Sequence, residues 1–394
     1  MRNVVVVAAA RTAIGTINGQ FKSLTPVELT VPLMEALIDR AGIDSALIEE
    51  VIWGENYQRT YLENNIARVC AVKAGCPVTS APGLTIHRNC TSSLSSVQFG
   101  YYQIKAGEAD CVMAGGTESM TAAPFMTFDM RSGKKFGHSE LRDSMWDSLS
   151  SAGVGCSMGM TAENVAAKYG ITREMQDEMA CESQRRATAA IAEGKFKDEI
   201  VPIIIKDRKK GEIVLDTDEY PKAGTTMEGL AKLRASFKDG GSVTAGNASG
   251  MNDASSGVIL MEEEKAKALG CNILCRVAGV FVAGVEPDYM GIGPLYAIPE
   301  ACKRAGIEVK DLDLVELNEA FAAQACACIQ ELGLDKSITN VNGSGISLGH
   351  PVGATGTRMI TTLIYEAKRR GNVKWGCASA CAGTGMGVAI VFEF

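Results

Sequence analysis

The strongest constraint on the fold is a plan of strand, turn, helix and strand that occurs twice in the chain. In the first copy, a turn around Cys90 opens a helix, and a strand over residues 109–116 ends in a turn of two glycines. The second copy consists of a strand at 338–342, a glycine-rich turn through His350, a helix at about 353–369 and a strand at 375–380. Such a duplication predicts two similar halves, with two helix N-termini near a pseudo-twofold axis where anions or thiolates are stabilised.

The first 120 residues alternate strand and helix patterns, which predicts an α/β fold with a mixed or parallel sheet covered by helices. The predicted elements are a strand at 4–9, a helix at 27–41 ending at Gly42, a strand at 51–54 and a helix at 65–74 closed by Gly75.

The middle of the chain has a different texture. Residues 121–250 are rich in methionine, carry charged stretches such as 206–210 and show weak periodicity, apart from one clear helix at 173–193 with a solvated polar face. We therefore predict an inserted loop domain. The domain prediction is residues 1–120 with 251–271, then 121–250, then 272–394.

Composition excludes several classes of partner. A net charge of −7 and a pI near 5.3 argue against a nucleic-acid surface. No run of about 18 apolar residues and no signal-peptide cleavage pattern are found, so we expect a cytoplasmic protein without a membrane partner. The 13 cysteines are odd in number and scattered, which favours a reducing compartment. None of the close cysteine pairs has C-x-x-C spacing and only 3 histidines are present, so no metal site is predicted.

Cys90 is a candidate nucleophile. Asn89 can begin a turn, and apolar residues recur at helical spacing after it, which predicts that Cys90 lies in the first turn of a helix. Free N–H groups and the positive dipole end at that position favour a thiolate. The alternative is a small buried hydrophobic residue, since free cysteines are commonly buried.

Three further groups of residues lie in the second half. Residues 342–356 form a loop with dense glycine around His350, which allows close approach of backbone to a ligand. Neither phosphate-binding glycine motif is present there. Cys381 lies at a strand end before a run of glycines, and Asn318-Glu-Ala-Phe321 follows an apolar stretch and could by itself be an ordinary helix cap.

Together these blocks resemble the thiolase family over essentially the whole chain. The matching blocks, in sequence order, are Thr244-Ala-Gly-Asn-Ala-Ser-Gly250, Asn318-Glu-Ala-Phe321, Gly349-His-Pro-Val-Gly-Ala-Thr-Gly356 and Cys381-Ala-Gly-Thr-Gly385. The resemblance implies a five-layered α/β/α/β/α core of two fused halves, with the insertion as a lid that receives coenzyme A and builds a tetramer. It also implies acyl transfer between coenzyme A thioesters, which are substrates, with no further cofactor.

The resemblance assigns a role to each site residue. Cys90 becomes acylated after His350 accepts its proton, and Cys381 acts as the base that removes a proton from a second acetyl-CoA. Asn318 holds a water beside the enolate, and the N–H groups of Cys90 and Gly383 hold the acyl-enzyme oxyanion. The expected reaction is the reversible condensation of two acetyl-CoA to acetoacetyl-CoA and CoA.

Coenzyme A contacts are carried over one at a time. Ala245 and Ser249 would line the pantetheine tunnel, and Lys222 falls where an arginine commonly lies against the adenine. The apolar wall of the tunnel would consist of Phe237, Met158 and Phe321.

The chain departs from the family pattern at three places. Thr91 and Ser93 replace glycines beside the nucleophile, Ser157 occupies a position often held by histidine, and segment 150–156 is longer than usual. All three lie near the acyl and pantetheine ends, so they bear on the substrate and leave the reaction class unchanged.

Other functions remain open at this point. A degradative 3-ketoacyl-CoA thiolase for longer or modified chains is the main alternative. A ketoacyl or hydroxymethylglutaryl synthase would share the fold and Cys90, but the block at Cys381 argues for a thiolase. A non-catalytic scaffold is suggested by the altered turn at Cys90. We expect a homotetramer whose subunits pair along an edge strand at 110–114 and whose dimers join through residues 120–160.

Overall fold

The computed structural model describes residues 2–150, 153–207, 209 and 211–394. Residues 151 and 152 of the segment 150–156, and residues 208 and 210 of the charged stretch 206–210, lie outside that description. The strands are β1 (Val4–Arg11), β2 (Gly15–Thr16), β3 (Glu50–Gly54), β4 (Gly83–Ile86), β5 (Cys111–Ser119), β6 (Phe125–Met126), β7 (Arg142–Asp143), β8 (Ile203–Asp207), β9 (Gly211–Leu215), β10 (Asn252–Glu262), β11 (Cys275–Gly284), β12 (Leu314–Leu317), β13 (Trp375–Ala382) and β14 (Met386–Glu393).

The α-helices cover the two faces of the sheet and fill the space between its halves. They are α1 (Pro26–Ala41), α2 (Thr60–Glu63), α3 (Ile66–Lys73), α4 (Ser92–Ala106), α5 (Ser144–Ser150), α6 (Met158–Tyr169), α7 (Arg173–Ala192), α8 (Met227–Ala231), α9 (Glu263–Ala268), α10 (Gly293–Ala305), α11 (Ala322–Leu332), α12 (Gly345–Leu348) and α13 (Thr355–Arg370).

Local sequence signals set the helix ends. At the start of α1, the Thr25 hydroxyl accepts the Glu28 N–H at 3.1 Å while the Glu28 carboxylate accepts the Thr25 N–H at 2.7 Å. Gly42 ends the helix in the left-handed region, with φ of 64°. This pairing satisfies N–H groups that a helix start leaves free, so the helix begins and ends where its sequence predicts.

The duplicated plan is confirmed by strand order. The first half-sheet has the order β4–β3–β5–β10–β1 and the second has β12–β13–β14–β11. In each half the strands at the outer edge pair in parallel, and the strands nearer the junction of the halves pair antiparallel. A parallel bridge from Val315 to Thr339 stands in the second half where β4 stands in the first. The halves join through two residue pairs between β1 and β11.

Hydrophobic packing stacks the elements in five layers. The central layer is α4 and α13, whose Leu94, Val97, Met359 and Leu363 form one buried cluster with strands of both half-sheets. Helices α1 and α3 cover the outer face of the first half-sheet, and α10 and α11 cover that of the second. The α/β/α/β/α order predicted from the sequence is therefore confirmed.

Two predicted elements are wrong. Gly115 and Gly116 do not form a turn but lie inside β5. Glycine is needed there because a Cβ on Gly116 would come within 2.0 Å of the Gly353 oxygen, so its absence lets the two segments meet. Residues 338–342 form only the single bridge at Thr339, since Asn340 adopts a left-handed φ of 50° and turns the chain.

The predicted edge strand at 110–114 is also wrong. Strand β5 pairs with β10 on one side and β3 on the other, so it lies inside the sheet. Its apolar residues are buried against α1 and α4 of the same chain. The edge strand of this half is β4, in which Leu84 is 44% exposed.

Residues between β5 and β10 contain α5 to α8 and two small hairpins, β6 with β7 and β8 with β9. Helix α7 confirms the predicted helix at 173–193. Among the residues that the structure describes, no helix combines the length and apolar character needed to cross a membrane.

Candidate active site

Three of the predicted site residues follow the carboxyl ends of parallel strands. Cys90 comes after β4, Asn318 directly after β12, and Cys381 lies next to the last residue of β13, which is parallel to β12. His350 lies between α12 and α13. Val352, two residues later, packs beside Cys90. The two halves therefore bring these residues to one place, at the edge where open α/β sheets bind ligands.

The sequence predicted that Cys90 lies in the first turn of a helix, and this prediction is wrong. Helix α4 begins at Ser92 with Thr91 as its N-cap residue, so Cys90 lies one residue before the cap. Asn89 precedes it in a left-handed conformation, with φ of 46°. Asparagine tolerates that region better than most residues, which explains the tight turn into the nucleophile.

The Cys90 thiol is half-buried beside a cavity of about 50 Å³. Burial raises its pKa to about 11, while the backbone N–H groups of Gly383 and of Cys90 itself oppose that rise. The free protein therefore holds a protonated thiol at neutral pH, and the expectation of a dipole-stabilised thiolate is wrong. The same two N–H groups were predicted to hold the oxyanion, and both act on the sulfur.

Asn89 ties the two turns of the site together, a role that sequence reasoning missed. Its side-chain Nδ2 donates to the Gly383 carbonyl oxygen at 2.8 Å, and lies 3.4 Å from Thr384 Oγ1. Gly383 would otherwise be free to rotate, as a glycine in the turn between β13 and β14. The only signal in the sequence was an asparagine directly before the candidate nucleophile.

His350 is buried and held in one tautomer. Its backbone N–H donates to Asn252 Oδ1 at 2.9 Å, and its Nδ1 lies 2.7 Å from Thr355 Oγ1. The Thr355 hydroxyl donates its single proton to the Pro351 carbonyl at 2.9 Å, so Nδ1 carries the hydrogen and Nε2 is the accepting nitrogen of the ring. Burial, together with the positive charge of Arg358, lowers the pKa to about 3, which leaves the ring neutral.

Asn318 lies fully buried beside the His350 ring. Its Nδ2 is 3.4 Å from Nδ1 and 3.5 Å from Nε2 of the ring. Its Oδ1 accepts no hydrogen bond from the part of the chain that the structure describes. The next residue, Glu319, accepts hydrogen bonds from Ser183 and Asn340, which fix the turn. A buried amide oxygen of this kind calls for a ligand or water partner.

Cys381 is fully buried on β13, opposite Gly387 of β14. Burial raises its pKa well above the ordinary value for a thiol, and the neighbouring thiols of Cys90 and Cys328 raise it further. The influence of Cys90 on the pKa of Cys381 places the two sulfur atoms near each other. A thiolate with so high a pKa is a strong base once it forms.

Glu118, near the end of β5, holds Asn56 and Tyr57 beside Gly353, a role that sequence reasoning also missed. Its carboxylate accepts hydrogen bonds from the Asn56 side chain at 2.8 Å, the Gly353 N–H at 3.0 Å and the Tyr57 N–H at 3.1 Å. Burial nevertheless raises its pKa to about 7. No sequence pattern marked it, because its partners come from two segments that are distant in sequence, one at Asn56 and Tyr57 and one at Gly353.

Glu55 offers a test of these buried carboxyl groups. It is fully buried, and neither of its oxygens has a hydrogen-bond partner among the described residues. Burial, with the charges of Glu118 and Glu63, raises its pKa to about 9. Because its pKa is higher in the folded than in the unfolded protein, Glu55 lowers the free energy of unfolding as the pH rises. This loss is absent below about pH 4.5 and grows until the pH reaches about 9.

We expect Glu55→Gln to raise the free energy of unfolding by about 3 kcal/mol at pH 7, because the folded carboxyl must stay protonated some 2.5 pH units above its unfolded pKa. The gain should be small at pH 4.5. Urea unfolding at both pH values and one protein concentration measures it, with exposed Glu178→Gln as the control. An equal gain at both pH values would show that titration is not its cause.

Most of the expected coenzyme A contacts form one group near Cys381. Phe321 and Met158 belong to the same buried cluster as Cys381, and the Phe237 ring meets the Phe321 ring edge-on at 6.2 Å. The Ser249 N–H donates to the Ala320 carbonyl at 3.0 Å, which docks its loop on Phe321. Packed apolar side chains therefore form a path of contacts from the 43%-exposed Phe237 to the buried thiol.

Ala245 and Lys222 lie further out. Ala245 is exposed in the same loop as Ser249. Lys222 is exposed, with its Nζ 5.3 Å from the centre of the Tyr220 ring, and Tyr220 packs against Gly250. Ser157 is the N-cap of α6, where its hydroxyl accepts the Met160 N–H, so the residue that replaces histidine here has a structural role.

The duplicated five-layered core, with Cys90 and Cys381 near each other, agrees with the resemblance to the thiolases. The chain matches the description "Thiolase, N-terminal domain" over residues 4–264 and "Thiolase, C-terminal domain" over residues 271–394. The chain belongs to the thiolase family.

Within that family, the chain is similar to proteins with stated activities. The acetyl-CoA acetyltransferase of Pseudomonas aeruginosa is 46% identical over 395 residues, covering 99% of each chain. The crystal structure of the Bacillus anthracis acetyl-CoA acetyltransferase superposes with a TM-score of 0.96 at 47% identity, covering 100% of this chain and 99% of that one. The crystal structure of human mitochondrial 3-ketoacyl-CoA thiolase in complex with CoA superposes with a TM-score of 0.94 at 41% identity, covering 100% of this chain and 98% of that one.

Proposed function

We propose that the chain is an acetyl-CoA C-acetyltransferase that condenses two acetyl-CoA to acetoacetyl-CoA and CoA, reversibly, through an acyl-cysteine. The observation that carries the proposal is a neutral His350 whose Nε2 can accept a proton, in the loop that packs beside Cys90, with the Cys381 thiol close to that of Cys90. The full-length similarity to acetyl-CoA acetyltransferases supports the same reaction.

In the first half-reaction, the Cys90 sulfur attacks the thioester carbonyl as His350 Nε2 takes its proton. The N–H groups of Cys90 and Gly383 donate to the oxyanion. The bond from the carbonyl carbon to the CoA sulfur breaks, and CoA leaves with the proton of Cys381. This leaves an acyl-cysteine, an imidazolium at His350 and a thiolate at Cys381.

In the second half-reaction, the Cys381 thiolate removes a proton from C2 of acetyl-CoA. The enolate oxygen lies against the His350 imidazolium and a water held by Asn318, which reduces the cost of the negative charge. Carbon–carbon bond formation then releases Cys90, which recovers its proton from His350. Every proton is returned, so the cycle runs in both directions and thiolysis uses the same groups.

Coenzyme A would enter along the apolar path described above. Met158, Phe237 and Phe321 would line the pantetheine arm, with Ser249 and Ala245 along the loop and Lys222 near the adenine end. Residues 121–250 supply most of this path, which supports their assignment as a lid domain between the halves 1–120 with 251–271 and 272–394.

The substrate assignment is tested by chain length. The small cavity beside Cys90 predicts a higher kcat/KM for thiolysis of acetoacetyl-CoA than for a six- to ten-carbon 3-ketoacyl-CoA. The similarity to human 3-ketoacyl-CoA thiolase keeps a degradative role as the second candidate. A clear preference for the longer chain would establish that second role instead. A scaffold would fail to gain mass from acetyl-CoA at all.

We further propose a homotetramer. Strand β4 offers a free edge with half-exposed Leu84. The segment from 125 to 146 exposes large apolar side chains, including Phe136 at 97%, Phe128 at 72% and Trp146 at 70%. Such surface is normally covered by another subunit. Both features point to interfaces, and they lie on different parts of the chain.

Light scattering at micromolar concentration should therefore give about four times the chain mass of 41.7 kDa. Replacing Phe136 with serine should reduce the particle to a dimer, because it is the most exposed of the apolar side chains and sits in the segment assigned to the dimer–dimer contact. A wild-type dimer would remove the role of that segment, and a monomer would contradict the pairing through β4 as well.

A further inference from the structure

The cavity beside Cys90 is lined by both polar and apolar side chains. It encloses about 50 Å³, and Asn56, Tyr57 and Ser148 form what we call its polar wall. The apolar lining is Leu149, Met158 and Val352, and His87, Asn89, Cys90 and Gly383 complete it. A volume of this size holds a substituent of one or two heavy atoms on the acyl carbon, and excludes long chains. A purely acetyl-specific pocket needs only to contact a methyl group, so the polar wall calls for an explanation.

The hydrogen bonds of that wall leave an acceptor without a donor. The Ser148 hydroxyl donates its single proton to the Met145 carbonyl at 2.9 Å, so the Tyr57 hydroxyl must donate to Ser148, 2.7 Å away. The Tyr57 oxygen then accepts no hydrogen bond from the described residues, although Tyr57 is only 8% exposed. A buried oxygen of this kind is stabilised by a donor on the ligand.

Asn56 presents the same polarity. Its Nδ2 donates to Glu118 at 2.8 Å and to the Asn89 carbonyl at 3.4 Å, which leaves Oδ1 as the atom open to a ligand. The Ser92 hydroxyl lies 3.4 Å from Oδ1, but it gives its single proton to the Asn89 carbonyl at 2.7 Å. Both polar groups of the wall therefore have spare acceptors and lack spare donors.

The wall is fixed before any ligand binds. Glu118 is fully buried and holds the backbone N–H groups of Asn56 and Tyr57 together with that of Gly353. The Tyr57 ring packs with Met120 and Val352 against Cys90. Since the acceptors cannot turn away, a ligand without a donor leaves them unpaired, and that is the condition for strong discrimination by a polar site.

We propose that the acyl group transferred to Cys90 includes short acyl groups that bear a hydroxyl, with hydroxyacetyl as the smallest, and that Tyr57 recognises that hydroxyl. The proposal rests on the acyl transfer to Cys90 proposed above. The Cys90 sulfur forms a bond to C1 of hydroxyacetyl-CoA as the bond to the CoA sulfur breaks. The acetyl-CoA enolate then attacks C1, giving 4-hydroxy-3-oxobutanoyl-CoA and the free Cys90 thiol.

Hydroxyacetyl-CoA and propionyl-CoA provide a matched pair, because the hydroxyl of one stands where the other has a methyl group of similar size. The measurement is kcat/KM for each as acyl donor, with acetyl-CoA as the second substrate. We expect hydroxyacetyl-CoA to be favoured about tenfold or more. Tyr57→Phe should bring the ratio close to one or below it, while Tyr61→Phe, at an 81%-exposed position nearby, should leave it unchanged.

Two results would overturn the proposal: wild-type protein that uses propionyl-CoA as well as or better than hydroxyacetyl-CoA, or a ratio that Tyr57→Phe does not alter. The wild-type comparison stands even if the variant fails to fold. Mass spectrometry after acetyl-CoA alone separates the two levels of the argument. Acetylated protein with a propionyl preference rejects only the hydroxyl recognition, whereas protein that takes no acetyl group rejects the acyl transfer as well.

Discussion

Cys90→Ser should lose both formation of the acyl-enzyme and overall condensation, by about ten-thousandfold or more in kcat/KM. The serine hydroxyl has a much higher pKa than a thiol, and His350, whose pKa is about 3, is too weak a base to remove its proton. Cys90 itself has a pKa of about 11, so its proton moves only when the thioester carbonyl is in place. Intact-protein mass after an acetyl-CoA pulse, followed by peptide mapping, measures the acyl group directly.

Cys271→Ser is the matched control, because Cys271 is also half-buried and packs against the cluster around α1 and α3, far from the site. It should keep full acylation. Acyl label on the Cys381 peptide and none on the Cys90 peptide would contradict the assignment of the nucleophile. Label retained at the wild-type level in Cys90→Ser would do so as well.

The fold could be predicted because short stretches of sequence determine most of its helices and strands. Apolar runs, turn glycines and caps such as Thr25 and Gly42 act over a few residues, and the repeat of one plan fixed the two halves. The grouping of Cys90, His350, Asn318 and Cys381 followed from the resemblance to a family, whose blocks carry contacts that no single pattern shows.

The predictions that failed concern residues whose structure depends on contacts between distant segments. Strand β5 has the apolar pattern of an edge strand against a partner, but β3 and β10 lie on its two sides. The glycines at 115 and 116 have turn character, but they make room for Trp53 and for the loop at Gly353. Sequence alone does not show which segment will arrive beside such a position.

The prediction that Cys90 is a thiolate failed for the same reason. The position of Cys90 near a helix start favoured a thiolate, yet burial beside Val352 and Tyr57 outweighs the opposing N–H groups of Gly383 and Cys90. Burial likewise keeps His350 neutral and Cys381 protonated. The resting site is therefore uncharged at its three reacting groups, and charge develops only as the thioester reacts. This favours bound substrate over water as the partner of each proton transfer.

That conclusion gives a role to Cys381 that a second variant can isolate. Cys381→Ser should leave acylation of Cys90 measurable but should lower condensation by about a thousandfold or more, several kcal/mol of transition-state stabilisation. The proton on C2 of a thioester is weakly acidic, so it requires a strong base, and the high pKa of Cys381 supplies one. Exchange of solvent deuterium into acetyl-CoA reports this step apart from carbon–carbon bond formation.

Cys377→Ser provides the comparison, because Cys377 is equally buried on the same strand but faces the cluster of α10 and α11. Loss of packing from a buried thiol would slow both variants, whereas loss of the base slows only Cys381→Ser. Deuterium exchange at the wild-type rate in Cys381→Ser would show that another group removes the proton.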